Sequence, residues 1–469
     1  MVGKQDNTPQ LSIFDTPLER FINLEHELCI LSRRIDWDSI EMEFSVYFSE
    51  IGRPSVPIRR MVGLLLLKHI YNLSDESIVD RWIENPYWQY FSGEKVFQTQ
   101  KPFDPTEFIH FRNRIGKEGA EILLKISIQL FGKEAQEKEV LIDSTVQEKN
   151  ITYPTDAKLH KRIIEKVNKI AKQEGITLRQ TYTRTLKQLM IDQRFHNHPK
   201  RRKKAKAALR KIKTIAGRQV RDIQRQFTTS QQKRYQELFI ILDKILTQQK
   251  GDKNKIYSIH EPETRCIAKG KEAKKFEFGN KTGFVLTKTT KIVVGAIAFE
   301  NNPYDGHTLE EHLKQTEYLT GSCPKIGIVD RGYRGKKKIN GTEIISPSVP
   351  KRETTQYEKQ KARKRFRSRA GIEPVIGHIK QDHRMLRNYL KGVLGNQLNT
   401  IFAGTGFNLK KMLNRIKEQI LCVFFKTKSL DAIIFKNQTL KISGFLRDDY
   451  LEKLDWSQVQ IILSIKSFF

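Results

Sequence analysis

The sequence is poor in cysteine, and Cys29, Cys266, Cys323 and Cys422 lie far apart with no C-x-x-C pair. That excludes a disulfide scaffold and a structural zinc site, and it points to a reducing compartment, the cytoplasm. Long hydrophobic runs are missing as well: MVGLLLL and ILCVFF are too short to span a bilayer. The opening MVGKQDNTPQLS has no basic segment followed by an apolar core, so no secretory signal is expected. Neither an amphipathic anchor nor a lipidation signal stands out, so a membrane is not the expected partner. The third shortage is acid. Only 53 Asp and Glu face 85 Lys and Arg, leaving a net charge of +32 over 469 residues. Self-repulsion on that scale is costly unless a polyanion offsets it, and nucleic acid is the commonest one.

The length suits about three ordinary domains. Residues 1–135 read as helices. In VPIRRMVGLLLLKHIYNLSDESIVDRWIENPYWQYF an apolar helical run ends near Asn72, Ser74 can cap a second helix, and Asn85-Pro86 ends it. Helix, short turn, helix fits a helix-turn-helix DNA reader and equally an ordinary helical bundle. EVLIDST (139–145) then reads as a buried strand ending in an acid.

From 157 to 250 the composition changes: 26 Lys and Arg stand against six Asp and Glu, an excess of +20 in one block. Apolar residues keep helical spacing through it (Leu209, Ile212, Ile215, Val220, Ile223, Phe227, Tyr235, Leu238, Leu242, Ile245), which predicts a basic helical hairpin rather than disorder. Its charge, densest at Lys200, Arg201, Arg202, Lys203 and Lys204, suits contact with a DNA backbone.

Strand patterns resume in TGFVLTKT and KIVVGAIAFE, a candidate hairpin. A helix over about 308–319, the strand PKIGIVD (324–330), the turn RGYRGKKK, a short strand EIISPSV and a basic helical region from Tyr357 come next. That order describes a mixed α/β sheet with helices on its faces, over residues 136–156 and 251–420. The tail 421–469 carries no recognisable chemistry.

Asp143 and Asp330 each end an apolar strand, and Glu373 stands alone among Arg367, Arg369 and Lys380 in RSRAGIEPVIGHIK. One such acid is usually a turn residue or an ion-pair partner. Three in the order strand, strand, helix can converge at one edge of a sheet, where hard oxygen ligands suit magnesium. Residues 366, 369, 373, 377 and 380 step by three or four and would share one helix face. Pro374 interrupts this, so the helix either starts near Gly371 or kinks there. RGYRGKKK, with Arg331 and Arg334, suits phosphate through glycine backbone and basic side chains; the alternative is a solvated loop.

These blocks carry a resemblance. LIDST with Asp143, GIVDRGYRGKK with Asp330, and RSRAGIEPVIGHIK with Glu373 are similar to the catalytic blocks of bacterial insertion-sequence DDE transposases, more narrowly the insertion-sequence four/five superfamily. Its third block runs tyrosine, two residues, arginine, three residues, glutamate, six residues, lysine. Phe366, Arg369, Glu373 and Lys380 stand at those spacings, with phenylalanine in place of the tyrosine. The likeness extends over residues from about 40 to 415.

It implies a ribonuclease H-like sheet preceded by an N-terminal helical, DNA-binding domain, with the basic helices inserted after the first catalytic strand. It also implies Asp143, Asp330 and Glu373 as metal-holding catalytic acids, with Mg2+ as cofactor and Mn2+ able to substitute. The implied partners are the element's terminal inverted repeats and target DNA, bound by at least a homodimer at the bacterial nucleoid. A nuclease that cuts without joining, or a decayed protein that only binds DNA, are the alternatives.

Overall fold

The computed structural model describes residues 1–3, 17–268, 275–333, 335, 337–347 and 355–443, with side chains to 422. It divides into two compact units, Met1–Met412 and Leu413–Phe469. The first carries the sheet and its helices; the described part of the second is helical.

Before the sheet come α1 (Glu27–Arg34), α2 (Trp37–Ser45), α3 (Ile58–Ile70), α4 (Asp75–Glu84), α5 (Pro86–Phe91) and α6 (Glu107–Gln129). The turn signals act as the sequence predicts. Asn72 takes a left-handed φ of 57° after α3. Ser74 accepts from the Ser77 N–H to cap α4, and Asn85 accepts from the Trp88 N–H to cap α5. Every residue of α3 from Met61 to Ile70 is buried, so this helix is the core of the region. At its end, Lys68 and Arg112 both bond Asp75, at 2.7 and 2.8 Å, in a nearly buried triad.

The sheet contains, in chain order, β1 (Glu139–Lys149), β2 (Arg265–Ile267), β3 (Glu277–Thr287), β4 (Val293–Ala298), β5 (Ile326–Ile328), β6 (Lys338–Ile339), β7 (Thr342–Ile345) and β8 (Arg387–Asn388). Its spatial order is β2-β3-β1-β5-β7-β6, with β4 beside β3 and β8 beside β1. β1 is central, antiparallel to β3 and parallel to β5. The expected β3–β4 hairpin forms, and side-chain amides cover the backbone of β4. Asn408 accepts from the Val293 N–H and Gln315 from the Ala296 N–H, which blunts an edge otherwise open to pairing.

Helix α11 (Asp305–Thr320) packs against β4 and β3. The approach is close at Gly283, where a Cβ would stand 2.1 Å from the His312 imidazole. A larger residue there would force the helix off the sheet.

Between β1 and β2 lie α7 (Asp156–Gln173), α8 (Thr183–Gln193), α9 (Arg202–Gln226) and α10 (Thr229–Thr247). The two predicted helices of a hairpin are thus part of a four-helix group. Leu159, Ile163 and Val167 of α7 and Leu186 of α8 share one core with Ile212, Ile215, Val220, Ile223 and Leu242. Most of the stripe read over 209–245 does face that core, with Tyr235 and Leu238 packed half-buried at its margin. The α9–α10 break has a capping box, Thr228 with Gln231.

The chain closes with α12 (Gln356–Ala370), α13 (Ile372–Asp382) and α14 (Gly392–Ser443). No described helix is long and apolar enough to cross a membrane.

Candidate active site

Between its half-buried ends at Glu139 and Glu148, β1 is buried on both faces except at Asp143 and Ser144, where the strand becomes accessible. Leu141 pairs with Ile328 in the parallel β1–β5 register. Asp143 and Asp330 each lie two residues past that pair, so strand periodicity sends both to the same side. The backbone of β5's extension is held there, the Val329 N–H donating to the Ile345 carbonyl.

Arg369 joins the two acids. Its Nη2 lies 3.2 Å from Asp143 Oδ2 and 3.4 Å from Asp330 Oδ2. The second oxygen of each acid is oriented locally: Asp143 Oδ1 accepts from the Ser144 N–H, and Asp330 Oδ1 from the Arg331 N–H. The guanidinium offsets the repulsion between two like charges, and its own Nε is buried with no hydrogen-bond partner among the described residues.

α12, which carries Arg369, buries no residue and so is not held by an apolar face. Polar contacts dock it instead. Arg365 reaches Glu139 at 3.5 Å, Lys288 holds the same Glu139 at 2.8 Å, and Lys291 donates to the Ser368 carbonyl. The chain then restarts as α13 at Ile372, with Gly371 between the helices and Pro374 in the first turn. Of the two routes around Pro374, the structure takes the new helix start. One continuous stripe from 366 to 380 is therefore broken, and Arg369 meets the acids through tertiary packing.

α13 buries Ile372, Val375, Ile376 and Ile379 and packs on β1. Glu373 is exposed and has no hydrogen bond or ion pair among the described residues, which is not what a structural ion-pair partner would show. Gly377 and Lys380 follow on its side of the helix. A Cβ at Gly377 would meet nothing within 4 Å, so that surface is open.

Asp143 and Asp330 therefore come together on Arg369, while Glu373 stands on the neighbouring helix. Among the described residues no group of three or more His, Cys, Asp or Glu side chains is positioned to hold a metal ion. Phe366 is half-buried on α12, and Arg331 is exposed beside Asp330. Arg334 lies outside the described residues. Lys200, Arg201, Arg202, Lys203 and Lys204 are all exposed at the start of α9, with Lys204 paired to Asp192.

Sequence reasoning missed a layer behind Asp143. Ser144 donates to Asp305 Oδ1 at 2.7 Å, and Lys281 bonds the same carboxylate at 3.0 Å. Tyr333 is buried alongside; burial first, then the charges of Asp143 and Asp305, push its phenol well above the ordinary range. Asp305 lies in NPYDGHTLE, at the first residue of α11.

β1 runs on to Lys149 rather than ending at Asp143. The sheet thus brings an acid within β1 and an acid just past β5 onto one arginine, with a third acid on α13, an arrangement compatible with chemistry on phosphodiesters. Comparison with known proteins narrows this. Residues 16–114 match the model of a transposase domain (DUF772), and residues 234–403 match that of the transposase DDE domain. The protein called "Uncharacterized protein ORF8 in nfe locus", from Rhizobium meliloti, is 38% identical over 201 residues, covering 42% of this chain and 94% of that protein. No solved structure matches. The chain belongs to the DDE transposases of bacterial insertion sequences.

Proposed function

We propose that the protein binds the terminal inverted repeats of its own insertion sequence, cleaves at the element ends and joins the 3'-hydroxyls to target DNA. The observation that carries this reading is the single guanidinium shared by Asp143 and Asp330 on adjacent parallel strands. A site that draws one cation between two carboxylates offers hard oxygen donors of the kind a divalent ion takes.

Asp143, Asp330 and Glu373 would hold Mg2+, for which Mn2+ can substitute. When bound, the ion supplies positive charge to the phosphate and acidifies the attacking hydroxyl. Arg369 has the complementary task. Released from the two acids, its planar fork can clamp a phosphate, with Lys380 and the Phe366 ring on the DNA side. Arg331 and the glycine backbone of the following loop would hold a neighbouring phosphate. Ser144, Lys281 and Asp305 support the strand that aims Asp143.

The reading includes a ribonuclease H-like catalytic sheet of the four/five superfamily and at least a dimer on DNA, because two ends must be cut and joined together. It places the protein in the cytoplasm, at the nucleoid. The exposed face of α4 carries Glu76, Asp80 and Glu84 with Arg81. Such a face would repel phosphates, which favours the helical-bundle reading of 55–95 over a groove-reading helix.

An assay that joins a labelled element end to a plasmid tests the proposal. Joined product supports it; cutting without joining indicates a nuclease, and binding alone a decayed transposase.

The α7–α10 group should bind backbone without reading sequence. Replacing Lys200, Arg201, Arg202 and Lys203 by Gln removes four exposed charges and leaves the core of the group untouched. Affinity for cognate and random DNA should fall together, and the slope of log K against log salt should flatten by about 0.9 per lost contact. Loss of cognate binding alone would mean that these residues read bases.

A further inference from the structure

A cleft of about 770 Å3 opens at the other end of β1 from the acids. Lys149 lies six residues beyond Asp143, roughly 20 Å along the strand at ~3.3 Å per residue, so the two sites are distinct. The walls are the segment following β1 (150–153), the start of α7, residues 258–261, and the segment 387–391 that begins in β8.

The floor is neutral and tied down. Lys149 pairs with Glu261 at 2.8 Å and donates to the Leu390 carbonyl, and Glu261 accepts from the Gly392 N–H. The remaining charged side chains of the lining are cationic. Lys158, Arg162, Arg387 and Lys391 line the cleft, and none has an acidic partner among the described residues. Neutral groups orient two of them: Lys158 donates to the Tyr153 carbonyl and Arg162 to Thr152 Oγ1. Their full charge therefore acts inside a concave surface, which focuses the field on an anion. His260 registers that field. Burial first, then Arg162, Lys166 and Lys391, hold its imidazole below the ordinary value. Ser258 also lines the cleft, and its buried hydroxyl has no hydrogen-bond partner among the described residues.

Two tyrosines complete the lining. Tyr153 and Tyr389 are 58% and 56% exposed, although each ring is supported from one side. Phe278 meets Tyr153 edge-on at 5.2 Å, and the Arg384 guanidinium lies 5.1 Å from the Tyr389 ring. Arg384 has a left-handed φ of 68°, a costly backbone state for a non-glycine residue.

We propose that this cleft binds an unpaired stretch of a nucleic-acid strand, with phosphates on Lys158, Arg162, Arg387 and Lys391 and bases against Tyr153 and Tyr389. The inference rests on the reading that the protein acts on DNA. Cations alone would suit any duplex backbone. The supported, exposed aromatic rings decide for an unpaired strand, because a duplex keeps the faces of its bases stacked inside and a free strand offers them.

The test uses the full chain and fluorescence anisotropy on oligothymidylate of about a dozen nucleotides, within the usual range of single-strand sites, and on a duplex of equal length. Tyr153→Leu with Tyr389→Leu should weaken single-strand binding by about 10-fold or more, from stacking worth ~1–3 kcal/mol per base, and leave duplex binding nearly unchanged. The matching Tyr→Phe pair should bind like wild type. Arg162→Gln with Lys391→Gln should flatten the single-strand salt slope by about 1.4, at ~0.7 per contact.

Unchanged single-strand affinity in the leucine pair, at a wild-type melting temperature, would overturn the proposal. So would equal losses on single strand and duplex, the mark of a general basic surface. A wild-type protein that binds duplex ends but no free strand overturns the cleft and leaves the transposase reading intact. One that binds neither overturns both.

Discussion

Glu373→Gln is expected to keep its grip on element-end DNA while cleavage and joining fall by several powers of ten. The substitution preserves shape and removes one negative charge from a helix side that also carries Lys380, so binding should persist or tighten slightly. Each ~1.4 kcal/mol of lost transition-state stabilisation costs tenfold in rate. Asp143→Asn and Asp330→Asn should lose chemistry to the same extent, and combining the three should add little, because residues that act as a unit are not additive.

Stability separates them. Asp143 is largely buried against Arg369 at 3.2 Å, so Asp143→Asn weakens a charge-assisted contact and should lower the melting temperature. Glu373 is exposed with no partner among the described residues, and Glu373→Gln should melt like wild type. The measurements are strand cleavage and joining on pre-cut and uncut ends, gel-shift affinity and thermal melting. Near-wild-type cleavage by Glu373→Gln would sink the three-acid mechanism. A destabilised Glu373→Gln that still cleaves would return this residue to a structural role.

The largest stability loss should come from Asp75→Asn, among the N-terminal helices. Asp75 holds Lys68 and Arg112, whose side chains are each only 5% exposed. Removing the carboxylate leaves two buried cations without their counter-charge, and breaking such a group costs about 3–5 kcal/mol. A melting temperature lower by several degrees is expected, with partial recovery when Lys68→Met is added, since an apolar side chain no longer needs the partner. An unchanged melting temperature would show that the triad contributes nothing.

The pH dependence comes from the same contacts. Burial pushes the Asp75 carboxyl up, but Lys68 and Arg112 outweigh it and hold the group well below its ordinary value of 3.8. A depressed carboxylate contributes stability that is present above that value and lost as pH falls below it. Asp75→Asn should therefore lose less stability on acidification than wild type. At high pH Lys68 acts with the same sign in a second window. Burial brings its ammonium from 10.5 down to about 8, so between these values the unfolded chain binds the proton more tightly and this group's contribution rises with pH.

Much of the architecture is written locally. Apolar runs ending in Asp143 and Asp330 make β1 and the β5 segment, since buried strands need β-branched residues at nearly every position. Ser74, Asn85 and Thr228 stop and start helices because their side chains satisfy backbone N–H groups two or three residues on. The excess of +20 over 157–250 announces a polyanion partner whatever the fold. Pro374 and Gly371 mark a helix boundary without saying which way the chain resolves it.

Contacts between residues far apart in the chain leave no such local mark. Arg369 lies 226 residues from Asp143 and meets it only because Glu139, Lys288 and Lys291 dock an otherwise unburied helix. Asp305 reaches Ser144 across 161 residues, and Asp75 reaches Arg112 across 37. The basic cleft gathers residues from the end of β1, from α7 and from β8, none of them within the three catalytic blocks. Periodicity and capping act over one helical turn or one strand pair, so the sequence by itself marked most of the elements and named three acids as candidates. Which cation stands between two of those acids was decided by packing, because charges far apart in sequence interact only once the sheet has brought them within a few ångströms.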